Sequence, residues 1–226
     1  MAKKKKQVKQ DEAIGLDIQL NKSQQFIEKN WKILCGILLA IILIVSGFYI
    51  YKNYAANKEA KAQVAVSKAQ SAFAQQQYEQ ALNGDGTTIG LLKVIKDYSG
   101  TKTANLAKLY AALCYANTDK VDEAIKMFED FSQKDDEMIS PTSIAALGNC
   151  YIKKGNTDKG VELLLKAAKA ADNEALSPVF LLQAGQIYES KGQNDKALDV
   201  YNQIKKNYFR SQIAQDIDKY IERATK

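Results

Sequence analysis

PTSIAALGNCYIKKGNTDKGVELLL, residues Pro141 to Leu165, decides the fold, because its order of small, aromatic, turn and large residues occurs three times in the chain. Aligned on Tyr115, Tyr151 and Tyr188, the copies are 36 and 37 residues apart. Three residues before each tyrosine stands a small residue, Ala112, Gly148 or Gly185. Nine residues after it stands another, Ala124, Gly160 or Ala197, and four further on a large one, Phe128, Leu164 or Tyr201. Gly155 and Gly192 mark a turn, where Asp119 stands in the first copy, and Pro141 and Pro178 open the second and third.

In a helical hairpin, small residues let two backbones approach, and large ones fill the wedge between one hairpin and the next. The period is close to the 34 residues of a tetratricopeptide repeat. The predicted fold is all-α, a single transmembrane helix followed by an α-solenoid of tetratricopeptide-type hairpins. Three repeats fill 105–211, as Asn105 to Met138, Pro141 to Glu174 and Pro178 to Ser211. A capping helix over 212–226 carries Ile213, Ile217, Tyr220 and Ile221 on one face. Residues 53–104 are read as a long helix and a degenerate capping hairpin. Asn53 to Leu82 has neither Gly nor Pro, which suits a helix. Asn83-Gly84-Asp85-Gly86 breaks it, Thr87 or Thr88 is expected to cap the next, and the pair from Ala60 to Tyr98 forms the degenerate first copy.

Upstream, Ile33 to Tyr51 (ILCGILLAIILIVSGFYIY) is nineteen residues without a charge. As a helix it spans roughly 28 Å, the thickness of a hydrocarbon core. The competing reading is a buried core helix, but Trp31 and Lys32 at one end and Tyr49, Tyr51 and Lys52 at the other suit the two interfaces. The reading is a transmembrane signal anchor over 31–52. Eight lysines precede the span and four follow within twenty residues, which puts 1–30 in the cytoplasm as a largely disordered segment. A cleaved signal would end in small residues, and this span ends in Phe48, Tyr49, Ile50 and Tyr51. Gly36, Ala40, Ser46 and Gly47 are small enough for a partner helix to approach, the alternative being lipid-facing filler.

The formal charge of +6 is concentrated before the span: residues 1–32 hold eight Lys and four acids, and residues 52–226 hold 24 basic and 22 acidic side chains. A nearly balanced downstream domain gives no case for nucleic-acid binding. The chain contains no histidine, which removes the commonest general base and zinc ligand. Cys35 reads as filler, and Cys114 and Cys150, at equivalent repeat positions, as two buried thiols. Acid pairs such as Asp122 with Glu123 and Asp135 with Asp136 fall on polar surfaces. Neither an enzyme, a cofactor, a metal nor a small-molecule substrate is expected.

What remains is a protein-binding surface. The concave face of such a stack is made of the first helix of each hairpin. The candidates are Leu106, Leu109 and Leu113, for which packing is the competing role, then Thr142, Asn149 and Lys153, then Gln186 and Glu189.

The order of parts, with QQFIEKNWK at Gln24 to Lys32, one anchor, an Ala/Gln helix and YSGTKTANLAKLYAALCYA at Tyr98 to Ala116, resembles the YfgM-like proteins. These are ancillary subunits of the bacterial SecYEG translocon. The resemblance implies an inner-membrane protein with a periplasmic C-terminal domain. It also implies partners such as SecYEG and the anchored prolyl isomerase PpiD, and unfolded client chains passed to periplasmic chaperones. A scaffold of another envelope machine, for secretion, division or motility, stays open beside it.

Overall fold

The structure is a computed structural model describing the backbone of residues 2–226 and the side chains of residues 24–226. The disorder expected of residues 1–30 falls largely outside the described side chains. The chain divides into two compact units, 1–57 and 58–226. It is predominantly helical, with no strand among the described residues.

The first unit is the leading part of α1 (Ala2–Ala74). Every residue from Ile33 to Tyr51 is exposed. Among the described residues this is one helix, near the N-terminus, long and apolar enough to cross a membrane.

In the second unit the end of α1 is followed by α2 (Tyr78–Asn83), α3 (Leu91–Asp97), α4 (Lys102–Asn117), α5 (Val121–Asp130), α6 (Ile139–Lys153), α7 (Thr157–Ala171), α8 (Ser177–Ser190), α9 (Asn194–Asn207), α10 (Gln212–Gln215) and α11 (Ile217–Thr225). Hairpins α4/α5, α6/α7 and α8/α9 are the three copies, each packed on the next, with α11 laid on α9.

The small residues are where the hairpins close. A Cβ on Gly148 would lie 2.9 Å from the Gly160 carbonyl oxygen, and one on Gly160 would lie 2.3 Å from Ile152 Cγ1. Ala112, Ala124 and Ala197 are fully buried at the equivalent sites. The large positions fill the wedges, with Leu164 and Tyr201 wholly buried and Phe128 nearly so.

The turn inside each hairpin is the same. Gln76, Asp119, Gly155 and Gly192 all have positive φ, between 60° and 90°. The next residue's N–H reaches back to the residue four before the turn: Gln77 to Ala72, Lys120 to Tyr115, Asn156 to Tyr151 and Gln193 to Tyr188, at 2.9 to 3.0 Å. This left-handed closure satisfies carbonyls the ending helix leaves open.

Three local expectations are corrected. The helix predicted to reach Leu82 stops at Ala74, where Gln76 makes the turn and Phe73 packs edge-on against Tyr78. Neither Thr87 nor Thr88 caps α3. Both donate side-chain and main-chain hydrogen bonds to Asp85 Oδ1 at 2.8 to 3.0 Å, closing a loop whose ends bridge at Gly84 and Ile89, and Gly90 stands at the helix start. Those donors hold the Asp85 carboxyl well below the usual range. The closing helix is two pieces, α10 and α11, because Ser211 Oγ accepts the Ala214 N–H to start a short turn and Asp216 leaves helical geometry. The two thiols expected to be buried are so: Cys114 and Cys150 are free and buried.

Candidate functional site

The candidate surface is built on α4, α6 and α8. Leu106, Leu109 and Leu113 on α4 are half-buried. Leu109 and Leu113 pack on a cluster that includes Ala112, Ala124, Phe128 and Leu147. Their aliphatic area is thus partly spent on the hairpin interface.

Of the polar candidates, Thr142, Asn149 and Lys153 are exposed but engaged. The Thr142 hydroxyl donates to its own helix at Met138 O, 2.6 Å away. Asn149 Oδ1 accepts from Gln183 Nε2 at 2.5 Å, linking α6 to α8. Lys153 pairs with Asp119 in the preceding turn, and the ammonium holds that carboxyl below its ordinary value. Gln186 is exposed. Both partners of the Lys153 pair are more than half exposed, so such a contact contributes about 1 kcal/mol or less.

Glu189 sits deepest, with 15% of its side chain exposed. Arg223 of α11 donates to both of its oxygens, at 2.6 and 2.7 Å, and the Tyr201 hydroxyl donates at 2.7 Å. The guanidinium, then the phenol, hold the Glu189 carboxyl below its usual range, against the opposing effect of burial. Tyr201 is pushed upward, chiefly by its burial. At the last hairpin Glu189 is therefore engaged by the chain's own final helix, while Gln186 on the same helix stays exposed.

Sequence reasoning missed Gln183, Asp119 and Arg223. Each lies 34 residues from the candidate it contacts, close to one repeat period. A search for complementary polar pairs at that separation would have found all three. Beside these turns the acids opening each second helix meet lysines just past the next first helix: Glu79 with Lys120, Asp122 with Lys154, and Asp158 with Lys191.

In the first unit, Gly36, Ala40, Ser46 and Gly47 are exposed, and a Cβ on either glycine would meet nothing within 4 Å. Among the described residues no group of three or more His, Cys, Asp or Glu side chains is placed to hold a metal ion. The arrangement offers surfaces for binding, and repeat folds of this kind typically serve as non-enzymatic scaffolds for protein–protein interaction.

Two crystal structures of nearly identical TPR-like repeats of a Podosopora anserina kinesin light chain protein, one of them a single-substitution variant, share the fold. Each has a TM-score of 0.56 and 15% identity, over 74% of this chain and 85% and 86% of the respective repeat proteins. No curated protein matches the chain. Residues 24–217 match the family described as tetratricopeptide repeat-like domain, and the chain belongs to that family.

Proposed function

We propose that the protein is a membrane-anchored repeat scaffold that binds protein partners on the outer side of a bacterial inner membrane. In this role it is an ancillary translocon subunit helping newly secreted chains pass to periplasmic chaperones. The observation that carries the reading is the joining, in one chain, of a fully exposed uncharged helix with a tetratricopeptide-like stack. An anchor confines the stack to two dimensions, which raises its effective concentration near any partner in the same membrane. The lysine bias before Ile33 supports an N-terminus in the cytoplasm. Exposed Thr142 and Gln186, with Asn149 and Lys153 beside them, offer hydrogen bonds to an extended client chain. Gly36, Ala40, Ser46 and Gly47 are the points where a partner helix would approach in the bilayer.

Photo-crosslinkers placed one at a time from Ile37 to Ile44 in cells test the assignment. Adducts with SecY or PpiD are expected. Adducts with a different envelope complex, or none at any position, overturn the translocon role.

A further inference from the structure

A groove of about 480 Å3 opens between the start of α4 and the segment after α5, and Lys102, Lys108 and Lys134 line it with Ser99, Thr101 and Ser132. Asn105 joins its two walls: Nδ2 donates to Ser132 O at 2.9 Å, and Oδ1 accepts the Ser132 N–H at 2.8 Å. Lys58 reaches the same rim and donates to Ser99 O at 2.9 Å. Lys108 is held by donating to Asp130 O at 2.8 Å. No acidic residue lines the groove. Lys58, Lys102, Lys108 and Lys134 take part in none of the ion pairs among the described residues.

This concentration of cations is local, because residues 52–226 are nearly balanced in charge. Of the acids on the adjoining segments, Asp97, Asp136 and Glu59 are already engaged. Asp97 pairs with Lys93, and Asp136 accepts the main-chain N–H groups of Met138, Ile139 and Ser140. Glu59 accepts the main-chain N–H groups of Lys102 and Thr103 at 2.7 and 3.0 Å. The amide-rich start of α4 is thus already filled by a carboxylate, and the attraction the groove offers comes from its ammonium groups. Asp130 and Asp135 are exposed. Glu59 offsets part of the Lys102 charge, the remaining ammonium groups repel one another, and an anion between them turns that repulsion into attraction. A phosphate group suits a groove lined by three lysines better than a carboxylate, since its three or more free oxygens can accept from several of them at once.

We infer that this groove is a binding site for a phosphate group, supplied either by a free phosphate or by an anionic phospholipid headgroup. The headgroup source rests on the membrane-anchored reading. The free-phosphate source does not.

Amine acylation of the full chain in phosphatidylcholine nanodiscs, read residue by residue by mass spectrometry, tests the site. One arm adds inorganic phosphate at matched ionic strength, and the other replaces a third of the lipid by phosphatidylglycerol. At least a threefold slowing is expected at Lys102, Lys108 and Lys134 in one arm, with exposed Lys126 and Lys166 unchanged. The arm that slows them names the source. Unchanged rates in both arms, or equal slowing at Lys126 and Lys166, overturn the site. Slowing by polyglutamate alone overturns it in favour of an acidic protein partner. In K102Q/K134Q, whose melting temperature should match the parent, protection of Lys108 should vanish, and its persistence would also overturn the site. Co-elution of chain and nanodisc is measured separately, so failure of the anchor shows there while the phosphate arm is still run in detergent.

Discussion

Gly185→Ala adds one methyl group where the structure has no room for it. A Cβ there would lie 2.3 Å from Tyr201 Cε1, 2.8 Å from Cζ and 2.9 Å from Cδ1. The ring cannot swing clear, being fully buried with its hydroxyl on Glu189 and the Tyr220 ring centred 5.7 Å away. Overpacking of this kind costs about 1–3 kcal/mol, and an overlap of more than 1 Å on a fixed ring belongs at the upper end. Alanine recovers about 1 kcal/mol of helix propensity over glycine, leaving a net loss of about 2 kcal/mol. For a domain of this size that lowers the melting temperature by about 4–8 °C. Thermal unfolding of the full chain, followed by circular dichroism at 222 nm, gives the value. The companion measurement adds Gly185→Ala to Tyr201→Leu, where the ring is gone and the extra methyl should be neutral or slightly stabilising. Parental melting of the single variant, or the same loss in both backgrounds, would refute the packing argument.

Glu59→Ala removes a carboxylate that caps α4 from another helix. It should cost about 1 kcal/mol, seen as a melting temperature lower by about 2–4 °C. The depressed Glu189 carboxyl contributes stability that is present above its unfolded value of about 4.3 and lost as pH falls through the lower folded value. Melting temperatures taken from pH 6 to 3 should therefore fall less steeply in E189Q than in the parent, and parallel curves would count against the Arg223 contact. Burial pushes the Cys114 thiol up to about 12, and Cys150 is raised for the same reason. Maleimide should label neither until denaturant is added, and labelling in the native state would show these helices to be open.

Three hairpins were legible because their tyrosines, glycines and second small residues are spelled out in order. The first hairpin was not, since Ala and Gln continue good helix composition straight through its turn and no glycine marks it. Gln76 accepts the left-handed conformation there, as Asp119 does one repeat later. The surviving signal is spacing. Ala69 and Ala81 stand twelve residues apart, as do Ala112 and Ala124, Gly148 and Gly160, and Gly185 and Ala197. Both are buried. The candidate surface was legible by position but not by engagement. Helix periodicity says which way Asn149 or Glu189 faces, and the stacking of whole repeats decides that Gln183 and Arg223 reach them.

The apolar interior of the stack falls into three clusters of unequal size. Seventeen buried residues unite α6 to α9 with α11, and ten unite the end of α1 with α2, α3 and α4. Only six, Ala112, Ala124, Ile125, Phe128, Leu147 and Cys150, form the cluster between them, served by the ten-residue α5. In a linear array each interface bears its own share of cooperativity, so the thinnest one yields first. The second unit is accordingly expected to act as two blocks joined by a compliant seam. Sub-global opening should start there, with the amides of α5 exchanging ahead of those of α7 and α9, and a ligand spanning α4 and α6 should gain affinity by clamping the seam shut.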